Sequence, residues 1–245
     1  MDNFELLRFD RPLAVGQAAA EALVTLIQSV PSKGHPHTVA LSGGRIAQLF
    51  FSAIVENAKK RALSFTGVNF FWADERCVPP SHPESNFAMA DKWLFQPLGF
   101  SATSQIHRIR GELRPDEAAQ QASRELRQSV PANAAGQPVL DTIFLGMGED
   151  GHVASLFPHM LEEQMTATDV YIPVTASPKP PPERISLTYA SISAARQVWV
   201  LVSGREKADA LRASLAPGSR TPLGHLLGIR RQTRVFADSD AAQEL

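Results

Sequence analysis

Asp150, Gly151 and His152 place a carboxylate and an imidazole one residue apart, with glycines on either side. The run reads Leu145-Gly146-Met147-Gly148-Glu149-Asp150-Gly151-His152-Val153-Ala154-Ser155-Leu156-Phe157-Pro158. It follows an apolar stretch, residues 140–145, that ends abruptly in glycine. Glycine permits positive φ and close backbone approach. The acids and the histidine are therefore expected on a sharp loop leaving a buried strand, where open α/β sheets bind their ligands. A histidine in such a place, oriented by a neighbouring carboxylate, can act as a base near neutral pH.

The same letters fit a dinucleotide fingerprint, Gly146-x-Gly148-x-x-Gly151, with Asp169 near the distance of a ribose acid. Two objections count against it. Glu149 and Asp150 would face a pyrophosphate inside the loop, and Pro158 would break the helix that the motif requires. A metal site built from His152, Asp74, Glu75 and Asp150 is a second rival. No His-x₃-His or cysteine pair supports it. The other histidines (35, 37, 82, 107, 159 and 225) show no ligand spacing and are expected at the surface. No Gly-x-Ser-x-Gly elbow is present, so a serine nucleophile is not favoured.

Three further polar clusters follow apolar runs: Ser42-Gly43-Gly44-Arg45, Asp74-Glu75-Arg76 and Gly204-Arg205-Glu206-Lys207. The first has the form of an anion cradle. Its glycines let backbone N–H groups turn toward a ligand at a helix N-terminus, and Arg45 could add a charged fork. It lacks the GK[ST] ending of a P-loop. The second could bind oxyanions through Arg76, or be a surface ion-pair cluster of little consequence. Cys77 beside it is either an activated thiol or a small buried spacer. Lys207 and Arg184 are each candidates for phosphate, with a solvated or merely structural side chain as the alternative.

These clusters need elements to position them. Helical spacing covers residues 12–30, stopped by Pro31-Ser32-Lys33-Gly34, then residues 46–61, 85–95, 115–130, 191–196 and 206–215. Strands are expected over residues 38–42, 68–73, 140–145, 170–174, 184–188, 197–203 and 235–237. Asp74-Glu75-Arg76 closes the second of these, and residues 177–182 form a proline-rich extended loop. The alternation predicts an α/β fold with a mainly parallel sheet flanked by helices. The four clusters would then meet at one edge of that sheet. Short connections give no place to divide the chain, so residues 1–245 are read as one domain.

Composition narrows the partners. The 245 residues carry a formal charge of −1, so no basic field points to nucleic acid. No apolar run reaches the length of a membrane span, and residues 1–11 do not read as a secretory signal. Cys77 is the only cysteine, which excludes an intramolecular disulfide and suits a reducing, cytoplasmic location.

With these clusters in view, the chain resembles the 6-phosphogluconolactonases over nearly its whole length. The resemblance is carried by Leu41-Ser42-Gly43-Gly44, by Trp72-Ala73-Asp74-Glu75-Arg76-Cys77-Val78-Pro79-Pro80 with Ser81-His82-Pro83-Glu84-Ser85-Asn86, and by Leu145 to Pro158. Arg184-Ile185-Ser186-Leu187-Thr188 and Ser203-Gly204-Arg205-Glu206-Lys207-Ala208 complete it. It implies a Rossmann-like fold shared with glucosamine-6-phosphate deaminases. It further implies hydrolysis of 6-phospho-D-glucono-1,5-lactone in the oxidative pentose phosphate pathway, with no metal or organic cofactor. His152 matches the catalytic histidine, with Asp150 orienting it. Arg76, Arg184 and Lys207 match substrate- and phosphate-binding positions, and Ser42, Gly43 and Gly44 the phosphate loop. The expected partner is a small phosphorylated lactone, acted on by a monomer or small homo-oligomer. One departure stands out: the usual Ser-Gly-Gly-Ser-Thr-Pro is here Ser42-Gly43-Gly44-Arg45-Ile46-Ala47. The related deaminases carry a glutamate where this chain has Phe157, which cannot do acid–base work. A sugar-phosphate isomerase or deaminase, and a binding module without turnover, are the competing readings.

Overall fold

A computed structural model describes residues 3–29, 36–100 and 105–245. The expected stop at residues 31–34, Val30 and His35 lie outside these residues. In chain order the elements are β1 (Phe4–Phe9), α1 (Pro12–Ser29), β2 (His37–Leu41), α2 (Arg45–Lys60), β3 (Val68–Trp72), β4 (Asp74–Arg76), α3 (Asn86–Ala90), α4 (Pro115–Ser129), β5 (Thr142–Gly146), α5 (Glu162–Met165), β6 (Tyr171–Val174), β7 (Arg184–Leu187), α6 (Tyr189–Ala194), β8 (Gln197–Val202), α7 (Ala208–Leu215), α8 (Pro222–Ile229) and β9 (Thr233–Asp238).

Six strands form one parallel sheet in the order β1-β9-β8-β5-β2-β3. The fold is thus α/β, a Rossmann-like parallel sheet with helices on its faces. Its central strands are continuous apolar runs, as burial on both faces requires. Every residue of β2 is buried, and in β8 all but Gln197. An aromatic column crosses the core. Phe50 of α2 meets Phe144 of β5 at 4.3 Å between ring centroids, and Phe144 meets Trp199 of β8 edge-on at 5.1 Å. Helices α1 and α2 pack side by side, and Gly16 lets the Leu49–Phe50 backbone come within contact of α1.

The alternation of helices and strands did not reveal a second sheet. Strands β4, β7 and β6 form a small antiparallel sheet. Asp74-Glu75-Arg76, expected merely to close β3, is its first strand. The chain changes sheets at Ala73, whose N–H donates to Leu41 O and whose carbonyl accepts from Leu187 N–H. The charged triplet lacks the composition of a strand, and it is buried only because Glu75 finds donors nearby. Pro173 is tolerated in β6 because that strand is an edge. Three more elements escaped the pattern. One is the edge strand β1, which buries no residue completely. Another is the single turn α5. The third is α8, whose proline and glycines disguise a helix opened by Pro222 and capped by Thr221, whose side chain accepts from Gly224 N–H.

The histidines are not all superficial as expected. His37 is buried with Nε2 3.2 Å from Thr142 Oγ1. His107 stacks on Phe71 and meets Glu125, and His225 meets the edge of Tyr189. Aromatic surface on the sheet attracts an imidazole ring as readily as solvent does. Among the described residues, no helix is long and apolar enough to cross a membrane.

Because Phe144 is buried at the middle of the strand that carries the His152 loop, Phe144→Ala should cost about 3–5 kcal/mol of stability. Urea denaturation measures this, and the folded fraction should keep its turnover per molecule.

Candidate active site

The loop after β5 turns back on itself. Gly148 N–H donates to His152 O at 2.9 Å, and Gly151 N–H to Gly148 O at 3.0 Å. Gly151 has φ +78, and a Cβ on Gly148 would lie 2.0 Å from His152 Nδ1. Glycine at 148 therefore makes the room in which the ring sits. Asp150 Oδ1 lies 2.5 Å from His152 Nδ1, which leaves Nε2 as the ring's free nitrogen. Burial works to raise the Asp150 pKa, but the hydrogen bond and charge of His152 outweigh it and hold the carboxylate at about 2. Asp150 is thus ionised at neutral pH and fixes one edge of the imidazole. Phe157 packs on the ring at 4.6 Å between centroids. It supplies hydrocarbon against the face of the imidazole.

His152 lines a cleft of about 460 Å³ together with Ser42, Gly43, Gly44, Arg45, Asp74, Arg76, Arg184 and Lys207. All four polar clusters contribute to it. The glycine turn opens the 16-residue helix α2. Gly44 has φ +100, and no side chain caps the helix N-terminus. An uncapped N-terminus leaves N–H donors and the positive end of the helix dipole toward the cleft.

Four cations surround this point, each differently held. Arg76 and Arg184 are register partners across β4 and β7. Direct cross-strand neighbours project to the same side, and like charges so placed repel unless something neutralises them. Burial, then the charge of Arg76, lowers the pKa of Arg184. Arg184 is only 3% exposed. Its Nε and Nη2 donate to the carbonyls of Pro181, Lys179 and Pro180, so it also braces the proline loop. Its guanidinium lies 5.5 Å from the Phe157 ring centroid. Arg76 Nη1 donates to Glu84 O at 2.6 Å. Lys207 is half-buried, and that burial lowers its pKa. Arg45 is 85% exposed along its side chain and pairs with Glu206 at the rim. Ser42 differs from a phosphate donor: its hydroxyl donates to Asp74 Oδ1 at 2.9 Å, so only its oxygen remains for the cleft.

Asp74 is the residue that the sequence pattern undervalued. It is 3% exposed. It accepts from Ser42 Oγ, from Ser155 Oγ at 2.8 Å and from Asn86 Nδ2 at 3.3 Å. One carboxylate thereby joins the glycine turn, the His152 loop and the start of α3. Ser155 N–H also donates to Ser186 Oγ on β7. Glu75, beside it, accepts from the backbone N–H groups of Arg76, Asn86 and Phe87 and from Ser85 Oγ. Neither acid is a surface charge, because the switch of sheets at Ala73 turns both inward. Each carboxylate of the imagined metal site is engaged elsewhere, and no metal-binding group of three or more acids, histidines or cysteines occurs among the described residues. Burial, then the charges of Glu183 and Glu75, push the Cys77 thiol up to about 12, so it is no nucleophile.

This fold and site define a class. The family of glucosamine-6-phosphate isomerases/6-phosphogluconolactonase matches residues 10–235. The chain belongs to that family. It is 34% identical over 244 residues to 6-phosphogluconolactonase of Streptomyces coelicolor, covering 96% of this chain and 92% of that one. The solved structure of 6-phosphogluconolactonase from Trypanosoma brucei superposes with a TM-score of 0.86 at 25% identity, covering 99% of both chains. A monomeric glucosamine-6-phosphate deaminase shares the fold, with a TM-score of 0.80 at 17% identity, covering 98% of this chain and 100% of that one.

Glu75 generates a pH dependence. Burial raises its carboxyl from 4.5 to about 7, against the pull of its four donors. A folded-state pKa above the unfolded value gives stability below about pH 4.5 that is lost as pH rises toward 7. Glu75→Gln should remove that slope, although it strands a donor and lowers stability overall. Denaturation midpoints of both proteins between these pH values check this; parallel curves would contradict it.

Proposed function

We propose that the chain hydrolyses 6-phospho-D-glucono-1,5-lactone to 6-phosphogluconate, with His152 as general base. The carrying observation is the Asp150–His152 pair in the same cleft as an uncapped helix N-terminus and four cations. His152 Nε2 takes a proton from water as the water oxygen bonds to C1. The resulting tetrahedral oxyanion collapses, the bond from C1 to the ring oxygen breaks, and the imidazolium returns the proton to that oxygen. Asp150 stays ionised throughout and steadies the imidazolium.

Oxyanion support comes from Arg76 and from N–H groups of the loop between Gly146 and Gly151 other than those of Gly148 and Gly151, which are spent within the turn. Lys207, Arg184 and the Gly43-Gly44 turn take the 6-phosphate, which holds C1 near the base. Arg45 can join them only by leaving Glu206. Phe157 favours this reading over deamination, since the side chain packed on the face of the ring is hydrocarbon and cannot do acid–base work. The location that goes with this reading is the cytoplasm, where a lone thiol stays reduced.

His152→Ala should lower turnover by about 10²–10⁴-fold with an unchanged melting profile. Acid release measured against the spontaneous rate decides this, and full activity in the variant would remove the histidine from the mechanism. Activity should survive EDTA, and no ammonia should form from glucosamine 6-phosphate.

A further inference from the structure

Asn86 has an acceptor that nothing in the cleft uses. The residue is 1% exposed and lies at the first position of α3, with Ser85 as the cap. Its Nδ2 donates to Asp74 O at 2.8 Å and to Asp74 Oδ1, which fixes the amide orientation. Its Oδ1 is buried and has no hydrogen-bond partner among the described residues. A buried acceptor left unpaired costs stability, so its retention calls for a use. What that oxygen does touch is the glycine turn. A Cβ built on Gly43 would fall 1.9 Å from Asn86 Oδ1 and 2.7 Å from its Cγ. The amide oxygen occupies the volume in which any other residue at 43 would carry its side chain. On the opposite side, a Cβ on Gly146 would stand 3.5 Å from the Gly43 carbonyl oxygen. Gly43 is therefore held between the Asn86 amide and the end of β5.

We propose that Asn86 is a positioning residue for the phosphate cradle, acting through Gly43. It presses the turn into the shape that gives Gly44 its left-handed φ and directs the free N–H groups at the start of α2 into the cleft. Asp74 sets the amide, the amide sets Gly43, and Gly43 sets the donors. The inference rests on the reading of this turn as the phosphate site. It goes beyond that reading by assigning the turn's geometry to a side chain that need not touch substrate.

The test measures KM and kcat for the phosphorylated lactone, with inhibition by inorganic phosphate and by unphosphorylated glucono-1,5-lactone. In Asn86→Ala, KM and the phosphate inhibition constant should both rise roughly ten- to a hundredfold, the range expected for a misplaced binding group. The kcat should fall along with phosphate binding, because the phosphate holds C1 near the base, while inhibition by the unphosphorylated lactone should hold, since the sugar ring is not the amide's concern. Gly43→Ala should show the same split. The double variant Gly43→Ala/Asn86→Ala should bind phosphate better than Gly43→Ala alone, because the new methyl then enters the space the amide vacated. That recovery keeps the test decisive if Asn86→Ala folds poorly. Equal weakening of both inhibitors would place Asn86 on the sugar ring and overturn the proposal, as would additive losses in the double variant. If the unmodified protein ignores inorganic phosphate, the reading of the turn as a phosphate site fails first. If it responds and the Asn86 variants respond alike, only the role of Asn86 fails.

Discussion

The carboxylate of Asp74 is the constraint from which the site is built. Three segments far apart in sequence meet on its two oxygens: Ser42, Asn86 and Ser155. Without that junction the glycine turn and the imidazole loop would be tips of separate strands, free to drift against each other. A sheet edge supplies proximity, but only to within the freedom of its loops. A buried acid satisfied by three donors removes that freedom, and its low-dielectric setting makes each bond stronger than it would be in water. The same argument explains why removing a single donor there would be costly: the charge would stay buried and lose part of its support.

The cleft otherwise gathers cations whose carboxylate partners stand at its edge, Glu84 for Arg76 and Glu206 for Arg45. Arg76 and Arg184 are held opposite one another by strand register, not by attraction. Burial lowers the pKa of Lys207, and Glu206 and Glu149 work against the added push of Arg45 and Lys179. Asp74 and Glu84 favour the charged form of Arg184 in the same way, against burial and the charge of Arg76. The imidazole has its own anionic partner: Asp150 is held ionised at His152 Nδ1.

Much of this was legible in the letters. The apolar run before Gly146, and those before Ser42 and Gly204, marked strand ends, and glycine beside charge marked loops built for ligands. What escaped depends on contacts between distant segments. Asp74-Glu75-Arg76 reads as loop on composition, and only the crossing at Ala73 makes it a strand. Asn86 carries no local signal, since its importance comes from Gly43 lying against it. Ser155 looks like an ordinary small residue, and Ser42 like a donor to phosphate, until one acid is found between them. The buried His37 and the stacked His107 were assigned to the surface because periodicity says little about a residue whose shelter comes from another element. The strand over residues 170–174 was legible despite Pro173, because an edge strand accepts proline, whereas the helix opened by Pro222 was not read at all.

The pairing of Arg45 with Glu206 spans the rim between the start of α2 and the loop after β8. Both side chains are largely in water, where such a contact contributes little and weakens further with salt. The doorway is consequently a soft one. A contact of this kind is one that dissolved ions loosen without any rearrangement of the strands behind it.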